Sequence, residues 1–61
     1  ATQDHPDAAV AFNNLAQVLA DQNRWPEARV AALRAVELGG PQIETFRETL
    51  KQIEARLAQP N

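Results

Sequence analysis

"NNLAQVLADQNRWPEA", residues 13–28, is the stretch whose reading decides the fold. Through Ala20 its apolar residues continue a 3.6-residue recurrence that begins at Ala9, the signature of one face of an amphipathic helix. The recurrence then stops. Asn23 can adopt the left-handed conformation that ends a helix where glycine would otherwise sit. Pro26 restarts one, because its fixed φ and missing N–H suit a first helical turn. Two helices joined by so short a turn must pack antiparallel. Trp25, the only tryptophan of the chain, falls at the junction. It has two readings: a stacking platform for a ligand, or an amphipathic wedge holding the two helices in register.

Working outward, "HPDAAVAFNNLAQVLADQ" predicts a first helix over about 7–22, with Pro6 at its start and Asp7 favouring the positive end of the helix dipole. "PEARVAALRAVEL" predicts a second helix over 26–38, ended by Gly39 and Gly40. Pro41 opens a third run, "QIETFRETLKQIEARL", over 42–58. Nothing alternates as a strand does. The fold class is therefore all-α: an antiparallel helical hairpin followed by a third, capping helix, in a single unit over 1–61.

The outer helices differ in their apolar faces. The first carries two stripes: Phe12, Ala16 and Leu19, and beside them Ala11, Leu15 and Val18. The third carries only one, Phe46, Leu50, Ile53 and Leu57, headed by Ile43, and its other sides are polar. The first helix thus expects neighbours on two sides and the third on one, as an interior and a terminal helix differ in a stacked array. Ala28, Ala31, Ala32 and Ala35 on the second helix are small and allow close helix approach.

Sixty-one residues make at most one small domain with a marginal core. The chain begins at Ala1 rather than Met, and we treat it as a piece of something longer. It holds no Cys, Ser, Met or Tyr. Disulfides, thiolate metal sites and Ser or Cys nucleophiles are excluded. The net charge is −2 and the basic residues alternate with acids, so the basic face of a nucleic-acid reader is missing. No apolar run approaches the roughly 20 residues of a membrane span.

Candidates for chemistry are few. His5 has only Asp4 and Asp7 as sequence neighbours and reads as a solvated terminal residue. Glu44 and Glu48 recur at i, i+4, interleaved with Arg47 and Lys51, and read as a solvated face with weak ion pairs. Arg24, Arg29 and Arg34 are spaced too widely for a fixed anion site. With no nucleophile–base set, we expect no catalysis, no metal and no cofactor.

The stretch also resembles a known family. The tetratricopeptide repeat follows W-x2-L-G-x2-Y, then A-x3-F, then P, at a period of about 34. Phe12 stands for the W, Leu15 for the L, Ala16 for the small residue and Leu19 for the Y. Ala28 matches the A, Ala32 sits where the F should be, and Pro41 closes the repeat. Trp25 falls where that turn carries a bulky aromatic, and Glu27–Ala28 matches its usual Glu-Ala. Two residues depart from the pattern: Asn23 replaces the turn glycine, and Ala32 thins the packing of the second helix. The repeat is also long by one, since Pro6 and Pro41 stand 35 residues apart. The resemblance covers about residues 8–41 and implies the end of an α-α superhelix. It favours Trp25 as the wedge.

The resemblance further implies a protein or peptide partner, bound in a groove lined by the first helix of each hairpin. The groove residues would be Asn13, Gln17, Asp21, Gln52 and Arg56. Asn13 and Gln17, one turn apart, offer donors and acceptors to a peptide backbone; equally, they are polar residues facing solvent. No basic residue of helix one supports a carboxylate clamp of the kind some family members use. The alternative is structural: an end-cap or self-association segment of a larger protein, such as the repeat tail of a bacterial enzyme. Here Ala11, Leu15 and Val18 would dock upstream or pair in a homodimer, a burial worth on the order of 3–5 kcal/mol.

Overall fold

A computed structural model describes residues 6–59 of the chain. Three helices follow one another: α1 (Pro6–Asp21), α2 (Trp25–Leu38) and α3 (Ile43–Ala58). No strand occurs among the described residues, and the all-α class stands. The helix boundaries fall within one residue of those read from periodicity. His5 lies outside the described residues.

The turns explain why the helices stop where they do. Asn23 adopts φ 65°, the left-handed conformation. The Asn23 N–H donates to the Ala20 carbonyl at 2.9 Å, and the Arg24 N–H reaches back to the Leu19 carbonyl, also at 2.9 Å. These two bonds form a Schellman closure, which occupies carbonyls that the end of α1 would otherwise leave orphaned. The Arg24 carbonyl then accepts from the Ala28 N–H at 2.8 Å, so α2 begins with no residue wasted. Pro26 lies in the first turn of α2, where an N–H has no intrahelical acceptor anyway. At the other end of α2, Gly39 and Gly40 take φ 71° and 104° in succession. Two consecutive positive φ values suit glycine and little else. Pro41 and Gln42 form a turn closed by the Ile43 N–H on the Gly40 carbonyl, and α3 starts after it, not at Gln42.

Packing follows an antiparallel order. At one end Ala9, Ala35 and Phe46 form a buried cluster, flanked by Val10, Phe12 and Val36. At the other end Ala16, Ala28, Ala31, Ala32 and Ile53 form a second, flanked by Leu19, Ala20, Trp25 and Leu50. Ala9 shares its cluster with Ala35, and Ala16 shares its own with Ala28, so α1 and α2 run antiparallel. Phe46 joins the first cluster and Ile53 the second, so α3 runs antiparallel to α2 and parallel to α1. The helix at the centre of this arrangement is α2, and its buried face is alanine throughout: Ala28, Ala31, Ala32 and Ala35. Small residues in this row let both neighbours approach closely. The large side chains that fill the core come from elsewhere, chiefly Phe46 and Ile53 at 2% exposure each. Fully burying one such side chain is worth about 1.5–3 kcal/mol.

Three placements differ from the periodicity reading. Asn13, assigned to a solvent-facing groove, is buried at 6% exposure, on the same side of α1 as Ala9 and Ala16. Thr49, assigned to no face, is buried too; its hydroxyl donates to the Thr45 carbonyl at 3.2 Å, which satisfies it within α3. Leu57, assigned to the apolar stripe of α3, lies 39% exposed in its last turn. The remaining stripe residues of α3 are buried or half-buried.

Candidate functional site: a groove between α1 and α3

Because α1 and α3 run parallel, their C-terminal halves lie side by side, and the start of α2 closes the space between them. The result is an open groove of about 640 Å³. From α1 come Gln17, Ala20 and Asp21, and from α2 comes Trp25. From α3 come Thr49, Gln52, Ile53, Ala55 and Arg56. Its floor is apolar where Ile53 and Ala20 join the adjacent core, and its rim is polar. Small-molecule and peptide sites share that combination of apolar floor and a few convergent polar groups.

Of the five groove residues expected from sequence, Gln17, Asp21, Gln52 and Arg56 line this space, and Asn13 does not. Asn13 lies one turn further back, with its Oδ1 buried and without a hydrogen-bond partner. Its place off both apolar stripes of α1 suggested solvent, but Asn13 falls on the buried side of the helix with Ala9 and Ala16. Beyond those four, the groove is lined by Trp25, Thr49 and Ile53 and by the small residues Ala20 and Ala55. Trp25 carried a signal in its position at the helix junction; Thr49 and Ile53 carried none.

The two readings of Trp25 meet in one residue. Half-buried, it packs against the cluster of Ala16, Ala28, Ala31, Ala32 and Ile53 as the wedge reading requires, and it also forms part of the groove wall. The Arg56 guanidinium lies over its ring, 4.9 Å from the centroid. A cation over an indole face within about 6 Å is attracted by the ring quadrupole. The stack holds Arg56 at the groove rim, and Arg56 in the last turn of α3 also sits well with the negative end of that helix's dipole.

Other charges are engaged differently. Arg24, which caps the start of α2, pairs with Glu27 at 3.8 Å, and Arg34 within α2 pairs with Glu37 at 3.4 Å, each three residues on. Arg29 reaches across to Glu54 of α3 at 3.3 Å. All three pairs are exposed, so each contributes at most about 1 kcal/mol. The Glu44, Arg47, Glu48 and Lys51 face of α3 is exposed, and among the described residues none of these four joins an ion pair. No group of three or more His, Cys, Asp or Glu among the described residues could hold a metal ion. No described helix is long and apolar enough to cross a membrane.

A second surface lies on α1, away from the groove. Ala11 is exposed, Leu15 is 45% exposed and Val18 51% exposed. Nothing in the three-helix arrangement covers this stripe.

Neither the protein-family models nor the curated proteins nor the solved structures compared with this chain gave a match.

Proposed function

We propose that this chain is a non-catalytic interaction module of tetratricopeptide-repeat type, which holds an extended segment of a protein partner in the groove between α1 and α3. The observation that carries the reading is the groove's composition. Gln17 and Asp21 from one helix, and Gln52 and Arg56 from another, converge on an apolar floor beside a half-buried tryptophan. Amide side chains can both donate to and accept from a peptide backbone, and a half-buried aromatic wall suits an apolar side chain. The resemblance in "NNLAQVLADQNRWPEA" supports the same reading, since repeats of that family bind partners along the first helices of their hairpins.

A peptide selection tests the proposal. Peptides selected for binding from a displayed random library should lose affinity at least tenfold when Gln17 and Gln52 are both changed to Ala, with the helical circular-dichroism signal unchanged. Both residues are exposed and neither takes part in the core, so a loss of binding would be local. Peptides that bind the double variant as tightly as the parent would remove the groove from the account. Asn13 has no place in this test, because its truncation would act on the buried core.

The second reading, self-association, rests on the bare stripe of Ala11, Leu15 and Val18. Three side chains fall far short of the roughly 20–30 residues a side that a standard stable interface uses. The stripe therefore supports weak pairing of two copies, or one edge of a larger contact. It does not by itself support a tight dimer.

A further inference from the structure

The groove presents two charges of opposite sign, Asp21 from α1 and Arg56 from α3. Asp21 ends α1, whose last turn holds no basic residue. A carboxylate there faces the negative end of its own helix dipole, an unfavourable placement that the helix does not offset. Arg56 is held on Trp25, as described. Among the described residues neither Asp21 nor Arg56 joins an ion pair, with each other or with any third group. Arg24, Arg29 and Arg34 each reach a carboxylate, Arg34 lying also over the Phe12 ring at 6.0 Å from its centroid; Arg56 lies over Trp25 at the mouth of the groove with no carboxylate partner among the described residues. The other residues lining the groove include Ala20 and Ile53, an apolar floor.

A surface that keeps an acid and a base apart over an apolar floor is complementary to a ligand with the reverse order. We propose that the groove selects an extended segment bearing one basic and one acidic side chain on either side of an apolar one. The base pairs with Asp21, the acid with Arg56, and the apolar side chain lies over Ala20 and Ile53 against the Trp25 ring. Complementary charge of this kind fixes register and suppresses wrong partners more than it adds affinity. This inference rests on the groove being the binding surface, and its test separates the two.

The experiment uses three synthetic peptides with one shared Leu-Leu centre. The first is flanked by Lys on one side and Glu on the other, the second by two Lys, and the third by two Glu. Binding is read from the fluorescence of Trp25, the only tryptophan of the chain. The mixed peptide should bind about three- to tenfold more tightly than either like-charged one, the range that two partly exposed ion pairs supply. Raising the salt from low to high should shrink that difference, because exposed pairs are screened. Arg56→Gln should bring the mixed peptide level with the two-Lys peptide, and Asp21→Asn should bring it level with the two-Glu peptide. Equal binding of all three, still lost in the Gln17→Ala, Gln52→Ala double variant, would overturn the charge reading and leave the groove reading standing. Binding of none of them, with library-selected peptides also insensitive to the double variant, would overturn both.

Discussion

The guanidinium of Arg56 lies over the indole of Trp25, 4.9 Å from the ring centroid, and joins the last turn of α3 to the first of α2. The contact fastens the third helix to the hairpin at the end where the groove opens. Its energy is small beside what the tryptophan contributes by packing against Ala16, Ala28 and Ile53. Trp25→Ala should therefore destabilise the fold by about 2–4 kcal/mol, toward the lower part of the range for truncating a large aromatic because the ring is only half-buried. Arg56→Ala should cost less than about 1 kcal/mol. Urea unfolding of the two variants checks the ordering; equal losses would mean that the stack, not the packing, holds α3 in place.

The alanine row of α2 makes a second prediction. Ala28, Ala32 and Ala35 are fully buried at 0% exposure between two helices. Replacing Ala32 by Leu adds methylene groups where there is no space for them, and overpacking of this kind costs about 1–3 kcal/mol. Thermal melting of Ala32→Leu should show a lowered midpoint. An unchanged or raised midpoint would mean that the helices stand further apart than their alanine contacts indicate. The large buried side chain of the cluster that holds Ala32 is Ile53 of α3.

Among the described residues Asn13 is the one buried side chain whose oxygen lacks a partner. A buried acceptor without a hydrogen bond forfeits about 1–3 kcal/mol of solvation. Asn13→Leu, close in size, should stabilise the protein by about 1 kcal/mol in denaturant titration. A loss of stability would show that Oδ1 is serviced by ordered water and that the residue is part of a satisfied network.

Asn23 supplies a sharper backbone test. At φ 65° an Ala side chain meets the strain that Asn and Gly tolerate. Asn23→Ala should cost about 1–2 kcal/mol, while Asn23→Gly should stay within a few tenths of the parent. The comparison is internal to one site, so packing differences elsewhere do not enter.

The three helices were legible in the sequence because apolar spacing, Asn23, Pro26 and the Gly39–Gly40 pair are local signals, each acting through the backbone conformation of one or two residues. The exposed stripe of Leu15 and Val18 was legible as apolar residues without a counterpart. The burial of Asn13 was not, since a polar side chain off both apolar stripes of α1 carries no local signal of being covered. The same holds for Thr49, whose hydroxyl is satisfied inside its own helix and so enters the core without a polar partner across it. Arg29–Glu54 and the Arg56–Trp25 stack join residues of different helices, and only tertiary packing brings them together. Gln17, Asp21, Gln52 and Arg56 were assigned to one groove through the family resemblance, and the packing of α3 parallel to α1 gathers them around Trp25.

The stripe on α1 has its own outcome. Leu15→Glu places a charge on a half-exposed site that contributes little to the core, so the helical content should persist. If the stripe pairs copies of the chain, light scattering over a concentration series should show the parent's average mass rising and the variant's staying at the monomer value. Identical masses for both would remove self-association through this face.

The most direct measurement is backbone and side-chain chemical-shift mapping of the protein titrated with the mixed-charge peptide. The account predicts that the amides of Gln17, Asp21, Gln52 and Arg56 and the Trp25 indole resonance move together, while those of Ala11, Leu15 and Val18 stay in place. Shifts confined to the Ala11–Leu15–Val18 stripe, with Trp25 unmoved, would contradict it and make the bare side of α1 the working surface.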